Sequence, residues 1–65
     1  MNLKQIKKSL SEGKKVFWSN ENYQVILDLI TNEYLIKCIP NNHIIGLTHK
    51  NGRTLNGEEN EFFNK

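Results

Sequence analysis

The sequence predicts an α+β fold, an N-terminal helix packed on a three- to five-stranded antiparallel meander, in a single domain covering residues 1–65. Three observations predict it. Apolar residues near the start recur at helical spacing, and the middle of the chain is a series of β-branched and aromatic runs. The breaks between those runs are short and rich in asparagine.

The helix comes first. Leu3, Ile6 and Leu10 fall at i, i+3 and i+7 and make one narrow apolar stripe among Lys4, Lys7 and Lys8. Asn2 is placed to cap it, with Gln5 reaching back in a variant of the capping box. Gly13 supplies a left-handed stop, and Lys14 and Lys15 suit the negative helix end. About ten residues of helix are marginal in isolation, so the stripe must dock on something.

The strands follow as "VFWS" (16–19), "YQVILDLI" (23–30), "EYLIKCI" (33–39) and "HIIGLTH" (43–49). Asparagine tolerates positive φ, so two-residue hairpin turns are expected at Thr31-Asn32 and Asn41-Asn42. With those turns, one face carries the rows Val25/Cys38/Ile45, Leu27/Ile36/Leu47 and Leu29/Tyr34/His49. That face receives the helix stripe and forms the core. Alternation puts Ile39 beside Ile44, Ile26 beside Lys37, and Leu35 beside Thr48 on the second face.

This second face mixes Gln24, Asp28, Lys37 and Thr48 with several isoleucines and leucines, more than a plain solvent face holds. A contiguous apolar patch on a soluble surface marks a contact site. Either a partner covers it, or the closing "EFFNK" folds back and seals it with Phe62 and Phe63. Trp18 depends on its loop: a three-residue break puts it on the second face beside Gln24, a two-residue break in the core. Facing outward, it would be an anchor of the kind enriched among interface hot spots.

Composition narrows the chemistry. A chain of this length buries only about 60% of its unfolded surface, too little for a deep catalytic cleft. One cysteine, Cys38, supplies neither a disulfide framework nor a cysteine-rich zinc site. His43 and His49 lie about 20 Å apart if they share one extended strand, beyond the reach of a single ion. The stretch "HIIGLTHKNGRTLNG" (43–57) holds three of the four glycines, yet Gly46, Gly52 and Gly57 match neither a dinucleotide fingerprint nor a P-loop. Asn51-Gly52 is instead a strong turn dipeptide, flanked by Lys50 and Arg53. Ser9, Ser11 and Ser19 have no expected histidine neighbour, and Glu58, Glu59 and Glu61 lie on a tail rather than across a pocket. The sequence therefore points to a protein that is not an enzyme and uses no cofactor or metal.

Charge is uneven: residues 1–15 carry five lysines against one glutamate. These lysines, Lys4, Lys7, Lys8, Lys14 and Lys15, either solvate the helix or form an alternative nucleic-acid-binding surface. Helix-then-strands order resembles the first part of a double-stranded-RNA-binding domain, but acidic residues stand where its lysine-rich second helix belongs. The N-terminus lacks the apolar core of a signal peptide, and no run reaches membrane-spanning length. A cytoplasmic setting without membrane contact is expected.

The words "VFWSNENYQVI", "YLIKC", "IIGLTHKNGRTLNG" and a closing "EFF" resemble a group of very small proteins encoded by bacteriophages and prophages, over residues 3 to 63. The resemblance implies an accessory product acting in the cytoplasm of a bacterial host. By analogy it implies binding and blocking of a host protein or complex, such as a restriction or CRISPR defence effector. The expected protein-binding residues are Trp18, Ile26, Lys37, Ile39 and Ile44, and a homodimer through the same face is the further option.

Overall fold

A computed structural model describes all residues, 1–65. Helix α1 spans Leu3–Ser11, and the strands are β1 (Val16–Trp18), β2 (Asn20–Asp28), β3 (Glu33–Cys38), β4 (His43–Gly46) and β5 (Phe62–Asn64). The five strands form one antiparallel sheet in the order β4-β3-β2-β1-β5. The α+β fold is as the sequence predicts.

Local chemistry sets the helix ends. Asn2 Oδ1 accepts from the Gln5 N–H at 2.8 Å, and Gln5 Oε1 accepts from the Asn2 N–H at 2.9 Å, a complete capping box. At the other end Gly13 takes φ 79°. Lys14 then donates to the Ser9 carbonyl and Gly13 to that of Leu10, the two bonds of a Schellman stop. Ile6 is completely buried, and Leu3 and Leu10 pack partly buried against the same cluster.

That cluster is the core: Ile6, Val16, Val25, Ile36, Leu47 and Phe62. The closing segment does not lie across the sheet. It enters through a 3-10 turn at Glu59–Glu61 and adds β5 to the edge of β1. Alternation then divides the phenylalanines. Phe62 enters the core, and Phe63 lies on the second face, stacked on Phe17 with ring centroids 5.6 Å apart.

Both hairpin registers differ from expectation by two residues. Val25 faces Ile36 rather than Cys38, and Ile36 faces Ile45 rather than Leu47. The loops hold four residues, 29–32 and 39–42. A two-residue type I′ turn needs positive φ at both central residues, which β-branched Thr31 resists. Here only the last loop residue, Asn32 or Asn42, takes it, each at φ 61°. Asn32 donates to the Asp28 carbonyl and Asn42 to that of Cys38. Asp28 and Asn41 side chains close the turns by accepting from the N–H groups of Ile30 and His43. An even shift keeps every strand residue on its predicted face. It does expel Leu29 and Ile30 from the strand, so Leu29 stands 84% and Ile30 95% exposed at the loop tip instead of in or beside the core rows.

The predicted fourth strand ends early, at Gly46. Leu47 still donates to the Tyr34 carbonyl, but the chain then bends into a small hairpin in which Thr48 bridges Leu55. Asn56 holds the bend, its Nδ2 donating to the carbonyls of Gly46 (2.9 Å) and Thr48 (3.2 Å). The tip turns at Asn51-Gly52, with Gly52 at φ 71°.

Candidate binding surfaces

Trp18 faces inward. The register between β1 and β2 breaks at a bulge after Phe17, and the indole meets Tyr23 edge-on at 5.2 Å and Phe62 at 6.5 Å, against the core. It is not an outward anchor. The irregular connection at Ser19, with φ 67°, matches neither simple loop length.

The second face is occupied at one side and open at the other. Phe63 and Phe17 fill it at the β5–β1 side, where Phe17 is buried. Toward β4 it carries Ile26 opposite Leu35, both half-buried, and Lys37 opposite Ile44. Ile44 is 52% exposed. Ile39 does not sit beside Ile44; it opens the 39–42 loop, 46% exposed, its N–H donated to the Asn22 carbonyl.

The sheet has two edge strands, β4 and β5, and β4 is the one beside the open part of the second face. Because Leu47 bonds to Tyr34, the Tyr34/Leu47 pair is a hydrogen-bonded one, and pairs alternate along an antiparallel ladder. Ile45 opposite Ile36 is then bonded, and Ile44 opposite Lys37 is not. The N–H and C=O of Ile44 point away from the sheet. Ile44 and Ile45 project to opposite faces, and Ile45 is 49% exposed. No charged residue, proline or bulge protects this strand. On the core face, Tyr23, Cys38, His43 and Ile45 border a shallow depression of about 210 Å³ beside it.

The lysines separate into two groups. Lys8 and Lys14 lie on the side of α1 near Asn64, with Lys14 3.4 Å from Glu12. Lys4 and Lys7 line the other side, where they meet Arg53 from the 48–55 hairpin. Lys7 Nζ sits 5.1 Å from the centre of the Tyr34 ring. Sequence spacing gives no sign of this meeting, which depends on how the hairpin docks.

Cys38 and His43 are direct cross-strand partners, while His49 lies beyond the bend, its N–H bonded to Thr54. No three His, Cys, Asp or Glu side chains converge as metal ligands would. No helix is long and apolar enough to cross a membrane. Comparison of the chain with protein families, curated proteins and solved structures finds no match.

Proposed function

We propose that this protein is a non-enzymatic binding module that captures another protein along its β4 edge. The observation that supports the reading is the pair Ile44 and Ile45, half-exposed on opposite faces of an edge strand. A cover on one face reaches only one of them. An extended partner segment laid beside β4 reaches both, and it also satisfies the outward N–H and C=O of Ile44. This is recognition by strand addition, with side-chain pockets on alternate residues giving selectivity. Ile26, Leu35, Lys37 and Ile39 extend the contact over the second face. In the setting that the resemblance implies, the partner is a host bacterial protein or complex, and capture blocks it, as an inhibitor of a restriction or CRISPR effector does.

The test is capture from bacterial lysate, read by mass spectrometry and compared across variants. Ile44→Pro removes the outward N–H and the isoleucine side chain but no ladder bond to β3, a place where an edge strand accepts proline. It and Ile39→Asp are expected to lose the captured species while keeping the native circular-dichroism spectrum. Leu29→Ser/Ile30→Ser, at the opposite end of the sheet, is expected to retain it. Loss at Leu29 and Ile30 with retention at Ile44 would move the site to the loop tip and overturn this reading.

A further inference from the structure

A second surface is built by charge. Between α1 and the 48–55 hairpin runs an open cleft of about 580 Å³, bordered by Lys7, Tyr34, Thr48, His49, Lys50 and Asn32. An adjoining depression shares Leu3 and Lys7 with it and adds Lys4 and Arg53. Four cations from two distant parts of the chain therefore share one groove.

None of the four is neutralised. The ion pairs of the molecule are Lys14 with Glu12 and Lys65 with Glu21, both elsewhere. Glu33 borders the cleft, and Glu58 and Glu59 border its far end, but none comes within salt-bridge distance of Lys4, Lys7, Lys50 or Arg53. All four side chains are exposed, and so not held by the core. Lys4 and Lys7 are one helical step apart, about 5–6 Å between Cβ atoms. The uncharged lining supplies hydroxyl and amide donors from Thr48, Tyr34 and Asn32. Lysine and arginine interspersed with threonine, tyrosine and asparagine are the groups that hold phosphate oxygens.

Two features set the ligand class. The cations are strung along an open groove rather than gathered around one point, which suits a chain of phosphates over a single small anion. Of the two aromatic rings in the cleft, Tyr34 already carries Lys7 against it, and the His49 imidazole alone is no platform for a run of unpaired bases. We propose that this cleft grips the phosphodiester backbone of double-stranded nucleic acid through Lys4, Lys7, Lys50 and Arg53, without reading sequence. Lys8, Lys14 and Lys15 take no part.

Fluorescence anisotropy with a labelled 20-base-pair DNA duplex and the matching RNA duplex tests it. Four phosphate contacts give a slope of log K against log salt of about −3.6, which is roughly a 150-fold loss of affinity from 50 to 200 mM salt. Lys7→Ala and Arg53→Ala should each reduce that slope by about 0.9. The quadruple alanine variant should not bind. Lys8→Ala/Lys14→Ala/Lys15→Ala should bind as the parent does, and so should Ile44→Pro, which separates this site from the β4 edge. Preference for one duplex identifies the natural source. Absence of binding to both duplexes at 50 mM salt overturns the proposal, as does equal weakening by the control lysines. Competition by polyglutamate as effective as by unlabelled duplex also overturns it, and assigns the cleft to an acidic protein surface.

Discussion

Replacing Gly57 with alanine tests the packing of the only tryptophan. A methyl group built at Gly57 would lie 2.5 Å from Trp18 Nε1 and 3.2 Å from Cε2, far inside van der Waals contact. The indole has no room to retreat, since Tyr23 and Phe62 pack against it. Nε1 is itself buried without a hydrogen-bond partner. Forcing a methylene-sized group into a packed site costs about 1–3 kcal/mol. Alanine recovers about 0.4–1 kcal/mol by restricting the unfolded chain. The net loss is about 1–2 kcal/mol, which lowers Tm by roughly 5–15 °C in a domain of this size. Thermal unfolding followed by circular dichroism and by tryptophan emission measures it, with a shift in native emission expected from the displaced ring. Gly52→Ala is the control: its φ of 71° costs about 1 kcal/mol through the backbone, but open space surrounds it and the emission should not move. A Gly57→Ala protein as stable as the parent, with unchanged emission, would refute the inward placement of Trp18.

Other perturbations probe different parts of the argument. Leu47→Ala removes a fully buried side chain just beyond the end of β4 and should cost about 2–5 kcal/mol. Against a total of about 3–10 kcal/mol for a chain this long, that is roughly half the stability, and urea titration should show the midpoint falling by a comparable fraction. Asn56→Ala leaves the Gly46 and Thr48 carbonyls without their side-chain donor. A loss of about 1–2 kcal/mol is expected by urea titration, together with faster amide exchange in the 48–55 hairpin. Ile44→Pro and the alanine series in the basic cleft, described above, address the two binding surfaces separately.

What was legible in the sequence was local or periodic. Asn2, Gln5 and Gly13 declare the helix ends because each acts within a few residues of itself. Strand faces were legible because alternation survives any even change of register. Loop length was not: Thr31-Asn32 and Asn41-Asn42 read as complete turns, whereas each is the second half of a longer one. That error is harmless for Val25 or Ile36 and decisive for Leu29 and Ile30, which move from the strand to an exposed tip. Trp18 was ambiguous because a bulge, and not a count of loop residues, sets its side. The meeting of Lys4 and Lys7 with Arg53 was invisible, since nothing in spacing states where a hairpin 45 residues away will rest. The β4 edge was half legible, with Ile44 identified on the correct face and its unpaired backbone shown only by the ladder.

The position of Phe62 has a consequence for how this molecule is born. It shares one buried cluster with Ile6, so the first helix cannot be sealed until the chain between them has left the ribosome. Until then Val16, Val25 and Ile36 lack part of their cover. Closure of the core therefore waits on Phe62 rather than on the helix and the first strands.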